Sequence, residues 1–137
     1  MSKHVYLRAY MAGVTFPSVG MVLVLAFFCV VRLGLQFPVP IERAIVFPMA
    51  LVPNLWGLWN MLYVAVGRPR QIPIGIFGAL VPLIIGPLGL AVLWALGVEV
   101  PHLVLAAFPL GLAIVMAGYY LIWKYLLGFF NRMLEIA

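Results

Sequence analysis

Aspartate is absent from this chain of 137 residues, cysteine occurs once, and charged side chains make up only 8% of the sequence. Each shortage removes a class of function. The acidic residues are Glu42, Glu99 and Glu135, all at expected helix ends or in loops, so no carboxylate falls within an apolar stretch. Proton- or cation-coupled pathways use ionisable side chains inside the membrane, and none is offered. His4 and His102 belong to opposite membrane faces, no Cys/His/carboxylate cluster has ligand spacing, and no Ser-His-acid group converges. A metal or haem centre and hydrolase chemistry are therefore not expected, no cofactor is implied, and the chain reads as non-enzymatic. Cys29 cannot close an internal disulfide and reads as a packing residue. Lys and Arg number eight but are scattered, without the aromatic interleaving of a nucleic-acid surface, so nucleic acid is not an expected partner.

What the chain has instead is apolar surface. Hydrophobic residues make up 67% of it, too much for a water-solvated globule. Crossing a bilayer takes about 20 mostly apolar residues, and four such stretches occur, at about 10–31, 41–66, 72–96 and 103–127. The expected fold is all-α: a polytopic integral membrane protein of four transmembrane helices in one domain, 1–137. The first segment lacks a small-x-small cleavage site and reads as a retained helix rather than a signal peptide. Pro38 and Pro40 break the chain before segment two, and Gly67-Arg68-Pro69-Arg70-Gln71 is short enough to make segments two and three an antiparallel hairpin. After an aromatic and basic girdle (Tyr119, Tyr120, Trp123, Lys124, Tyr125), the tail 128–137 has the spacing of a short interfacial helix. Lys3, Arg8, Arg68, Arg70, Lys124 and Arg132 fall on one side and only Arg32 and Arg43 on the other. That bias predicts an inner-membrane protein with both termini cytoplasmic.

In lipid, apolar burial does not draw helices together; close packing and interhelical hydrogen bonds do. Gly75, Ala79, Pro82, Gly86 and Gly89 on segment three follow the 4-3-4-3 spacing of a left-handed helix seam. Ala107 and Gly111, then Ala113 and Ala117, form small-xxx-small pairs on segment four. Proline removes the donor for the carbonyl four residues earlier, so Pro53, Pro82, Pro87 and Pro109 should free Met49, Gly78, Leu83 and Leu105. Asn54 and Pro82 lie at similar distances from the hairpin tip. The expectation is that the Asn54 amide bonds to a proline-freed carbonyl on segment three.

The candidate site is the stretch Pro53-Asn54-Leu55-Trp56-Gly57-Leu58-Trp59-Asn60. At about 100° per residue, Pro53, Asn54, Gly57, Asn60 and Met61 share one arc, while Trp56, Trp59 and Tyr63 lie on another. Trp56 falls near the expected bilayer centre, although tryptophan usually prefers the interface. Asn54, Trp56, Trp59 and Asn60 are thus the candidate ligand-binding residues, for a lipid, a quinone or another flat apolar molecule; ordinary helix packing explains the same residues. Helices broken by midplane prolines and glycines in segments two and three would also suit a small oligomeric transporter or channel with a site near Asn54, Trp56 and Asn60. The leading expectation is a small membrane subunit or accessory protein, surrounded by membrane lipids and assembled as a homo-oligomer or with another membrane protein subunit.

Overall fold

A computed structural model describes residues 4–36, 38, 50–97 and 99–136. The described residues are all-α and form four helices. The first is α1 (Val5–Cys29), extended by a wide π-helical turn, Val30–Gly34. The second is α2 (Ala50–Leu62), extended by a like turn, Tyr63–Gly67. The third is built from α3 (Ile74–Ala79) and α4 (Pro82–Ala95). The fourth joins α5 (His102–Leu121), a π-helical stretch at Ile122–Leu127 and α6 (Gly128–Met133). Residues 39–49, which hold the expected start of segment two with Glu42, Arg43, Pro48 and the Met49 carbonyl, lie outside the described residues, as does Lys3.

Three of the helices, Val5–Gly34, Ile74–Ala95 and His102–Met133, are long and apolar enough to cross a membrane, at 30, 22 and 32 residues. Their outward side chains include Leu23, Leu33, Leu103, Leu110 and Ile114, all well exposed. A soluble protein rarely tolerates so much contiguous apolar surface, whereas hydrocarbon solvates it. The second helix carries Pro53, Asn54 and Asn60, and it is not among the three.

The chain divides into two compact units, Met1–Met61 and Leu62–Ala137. In the first, α1 and α2 run antiparallel and touch through backbone. A Cβ on Gly13 would stand 2.5 Å from the Trp56 carbonyl oxygen and 2.8 Å from the Gly57 Cα; one on Gly57 would stand 2.6 Å from the Tyr10 ring. Pro17 sits inside α1 without interrupting it.

In the second unit, α3 lies against α5 and the π-helical stretch after it. Gly75 faces Tyr120 and Lys124, and Gly78 faces Trp123 so closely that a Cβ would stand 2.0 Å from the indole. Trp123 and Leu127 are fully buried. The Tyr63 ring meets Phe77 edge-on at 5.5 Å, closing the hairpin, and the link itself is tied by Ile72 N–H to the Gly67 carbonyl at 3.0 Å. Past α6 the chain turns back: Ile136 N–H donates to the Asn131 carbonyl at 2.8 Å, and the Arg68 guanidinium donates to the Ile136 carbonyl. Gly97, at φ 66, ends α4 in the left-handed conformation that glycine adopts without steric cost.

The Gly78 carbonyl freed by Pro82 finds its donor locally. Val81 N–H reaches it at 3.0 Å, and Leu83 and Ile84 N–H bond to carbonyls three residues back. The third helix therefore tightens for one turn at Leu80 and Val81. A tighter turn needs no second helix in register.

Gly78→Ala is expected to lower stability by about 1–3 kcal/mol, the usual cost of overpacking, because the backbone of α3 would have to move off Trp123. Gly111→Ala, with nothing within 4 Å, should be neutral or stabilising by up to about 1 kcal/mol through helix propensity. Thermal unfolding of both variants in mild detergent checks the contrast.

Candidate functional site

α2 carries four of the residues singled out from sequence, and the structure separates them by role. Val52, Pro53, Trp56, Gly57 and Asn60 are buried, while Asn54 is exposed and Trp59 half-buried. Of these, Trp56, Gly57 and Asn60 face α1. Glycines at 13 and 57 let the two backbones meet, and that approach carries Trp56 and Asn60 into the contact.

Asn60 is fully buried, and its amide donates to the Ala9 carbonyl of α1 at 2.8 Å. Buried away from water, a carboxamide is tolerated when such a bond is made. Trp56 is 3% exposed and stacks at a tilt on Phe16, 5.8 Å between ring centroids. The indole thus occupies the space between α1 and α2.

Asn54 stands at the exposed rim of the same contact. Its Oδ1 accepts a hydrogen bond from the Tyr10 hydroxyl, and its Nδ2 donates to the Ala50 carbonyl at 2.8 Å, one turn back on its own helix. Both partners lie within the first unit. An amide four residues from a carbonyl on the same face meets it by helix geometry alone.

On the third helix, Gly75, Gly78 and Pro82 are buried; Ala79, Gly86 and Gly89 are half-buried. The face turned to the fourth helix contains Gly75, Gly78 and Gly86; a Cβ on Gly86 would stand 3.1 Å from the Phe108 ring. Ala107, Gly111, Ala113 and Ala117 of α5 are exposed, and Gly111 has open space before it. Between α4 and α5 lies an apolar groove of about 440 Å³, lined by Pro82, Gly86, Ala107, Phe108, Gly111 and Tyr119 among others. With the Tyr119 hydroxyl as the polar group of that lining, the groove suits an acyl chain or another flexible apolar body better than a charged solute.

Among the described residues there is no group of three or more His, Cys, Asp or Glu able to hold a metal ion. Several residues that matter to this architecture carry weak sequence signals. Tyr10 reads as an interfacial anchor, Arg68 as a topology charge and Gly78 as one glycine among many. Their partners (Asn54, the Ile136 carbonyl and Trp123) are 44, 68 and 45 positions away in the chain, beyond the reach of local periodicity. Comparison with protein-family models, curated proteins and solved structures finds no match in any of the three.

Asn60→Leu is expected to cost about 1–2 kcal/mol, in the upper range for interhelical hydrogen bonds in membranes. Asn60→Asp should cost more, and its cost should grow as pH rises. The buried site tolerates the neutral acid better than the carboxylate, so stability is greatest at low pH and falls once the unfolded chain ionises and the folded one resists doing so. Melting curves of both variants across the acid-to-neutral range test the direction.

Proposed function

We propose that this chain is a small non-enzymatic integral membrane protein, a subunit or accessory component, that crosses the inner membrane four times and assembles with other membrane polypeptide through close helix packing. Both termini lie on the cytoplasmic side, as the distribution of Lys and Arg favours. The second helix supplies the fourth span together with the stretch 41–49 that precedes its described part. The observation that carries this reading is how internal polar groups are used. Asn60 is bonded to Ala9, and Arg68 is bonded to Ile136. Both serve to join helices and chain segments. What faces outward along the long helices is apolar or small, which is the surface that lipid and neighbouring helices contact.

The groove between α4 and α5 supports a second reading, in which the protein holds a lipid tail, a quinone or a like apolar ligand. A pocket of this volume falls within the range of small-molecule sites. Its residues are different from the Asn54, Trp56, Trp59 and Asn60 set, of which Trp56 and Asn60 are packed against α1.

Native mass spectrometry of the protein released from native lipid particles separates the two. The subunit reading expects a particle heavier than one chain, containing either a second copy or another polypeptide. A monomer that retains a stoichiometric lipid or quinone, lost on Gly111→Phe, would overturn it in favour of the groove.

A further inference from the structure

The second unit gathers cations at one end. The link after α2 folds back on itself, with Gln71 N–H on the Arg68 carbonyl and Ile72 N–H on the Gly67 carbonyl, both at 3.0 Å, and sets Arg68 and Arg70 just before the start of α3. There a Cβ on Gly75 would stand 3.1 Å from the Lys124 Cβ, and one on Gly128 would stand 3.7 Å from the Ile74 Cγ2. The end of the fourth helix thus lies beside the link. The Arg68 guanidinium donates to the Ile136 carbonyl, four residues past Arg132. Arg68, Arg70, Lys124 and Arg132 therefore share one end of the unit, and Arg70, Lys124 and Arg132 are exposed. The contacts made by Arg68 and Lys124 neutralise none of their charge. A carbonyl takes one of the five donors of a guanidinium, and the Lys124 ammonium stands 5.6 and 5.3 Å from the centroids of the Tyr120 and Tyr125 rings, π faces without net charge. Glu99 lies at the other end of the unit, in the link between α4 and α5, so that Glu135 is the one acidic side chain standing with the four cations.

We propose that this end of the second unit binds the headgroups of anionic phospholipids in preference to zwitterionic ones. The inference rests on the orientation proposed above and goes beyond it by naming a lipid class. Charge complementarity selects an anion, because basic side chains at a cytoplasmic membrane face attract anionic headgroups. The first unit has no acid to offer in its place: on that side its sequence carries Lys3, His4 and Arg8, and Glu42 belongs to the opposite face. The surroundings select a lipid over a soluble anion. Tyr125, Phe129 and Met133, spaced by four residues, are exposed among the cations, and Tyr120 and Tyr125 flank Lys124 in the aromatic girdle that marks the interface. An anionic phospholipid brings a phosphate and an acyl chain to that depth together; a soluble anion brings charge alone.

The test titrates the full chain in mild detergent with phosphatidylglycerol and with phosphatidylcholine of the same acyl chains, counting bound lipid by native mass spectrometry. Phosphatidylglycerol should bind the tighter, by roughly tenfold or more. One cation near an anionic headgroup is worth about fivefold in affinity, so Arg70→Gln and Arg132→Gln should each weaken phosphatidylglycerol binding by that factor and leave phosphatidylcholine binding unchanged. Arg68 and Lys124 stay intact because they also make contacts inside the unit. Arg32→Gln removes a cation from the opposite face and should change neither. If Arg70→Gln or Arg132→Gln unfolds, the preference of the unsubstituted chain still decides the matter. Equal binding of the two lipids, a loss in Arg32→Gln as large as in Arg70→Gln, or displacement of phosphatidylglycerol by inorganic phosphate each overturns the proposal. So does an acidic polypeptide that co-purifies and is released by Arg70→Gln. A monomer that keeps the lipid preference would sink the subunit reading and leave this one standing; an oligomer without the preference would do the reverse.

Discussion

Trp123 lies across α3 because position 78 carries no side chain, and in a lipid solvent contacts of this kind are what hold helices together. Water drives apolar surfaces into contact, but hydrocarbon solvates leucine as well as a neighbouring helix does. The stabilisation has to come from atoms brought closer than lipid tails can come. Gly78 against Trp123, and Gly13 against the backbone at Trp56 and Gly57, are such contacts. In each unit the nearest approach occurs where a glycine removes the obstacle, and the large buried side chains, Trp56 in one and Trp123 with Leu127 in the other, gather around that point.

The same solvent governs polar groups. A carbonyl freed by proline is answered by the nearest available N–H: at Pro82, Val81 closes a tight turn on Gly78. A carboxamide inside a helix is answered either by the adjacent helix, as Asn60 is by Ala9, or by its own previous turn together with a neighbouring hydroxyl, as Asn54 is by Ala50 and Tyr10. Local answers come first because they order fewer groups. The long-range tie, Arg68 to the Ile136 carbonyl, lies at the charged end of the hairpin, where an arginine can remain near the interface.

This division also explains what could be read from the residues. Helix content and the positions of the third and fourth helices follow from apolar runs and from breaks at Gly67 to Gln71 and Gly97 to Pro101, because these depend on composition alone. Contacts were less legible. A regular helical count puts Ala79 on the same face as Gly75, but the tight turn before Pro82 advances the chain faster than 100° per residue, and Gly78 takes the central place. Wide turns at Val30–Gly34, Tyr63–Gly67 and Ile122–Leu127 shift the phase in the other sense. The candidate site was legible as a stretch, not as a geometry: which of Asn54 and Asn60 faces inward depends on where Gly13 lets α1 approach, and Gly13 is 41 and 47 positions away.

The second helix is therefore where polar side chains and an apolar sequence are in most direct conflict. Charge in the chain collects at helix ends and loops, but α2 places two carboxamides and a proline within its length. Asn60 resolves its share of the conflict inward, through a bond that also fixes the register of α1. Asn54 resolves its own at the rim of the same contact, through the Tyr10 hydroxyl and the Ala50 carbonyl. Both carboxamides of α2 are thus answered within the first unit, and the bonds that answer them tie α2 to α1 at Tyr10 and Ala9.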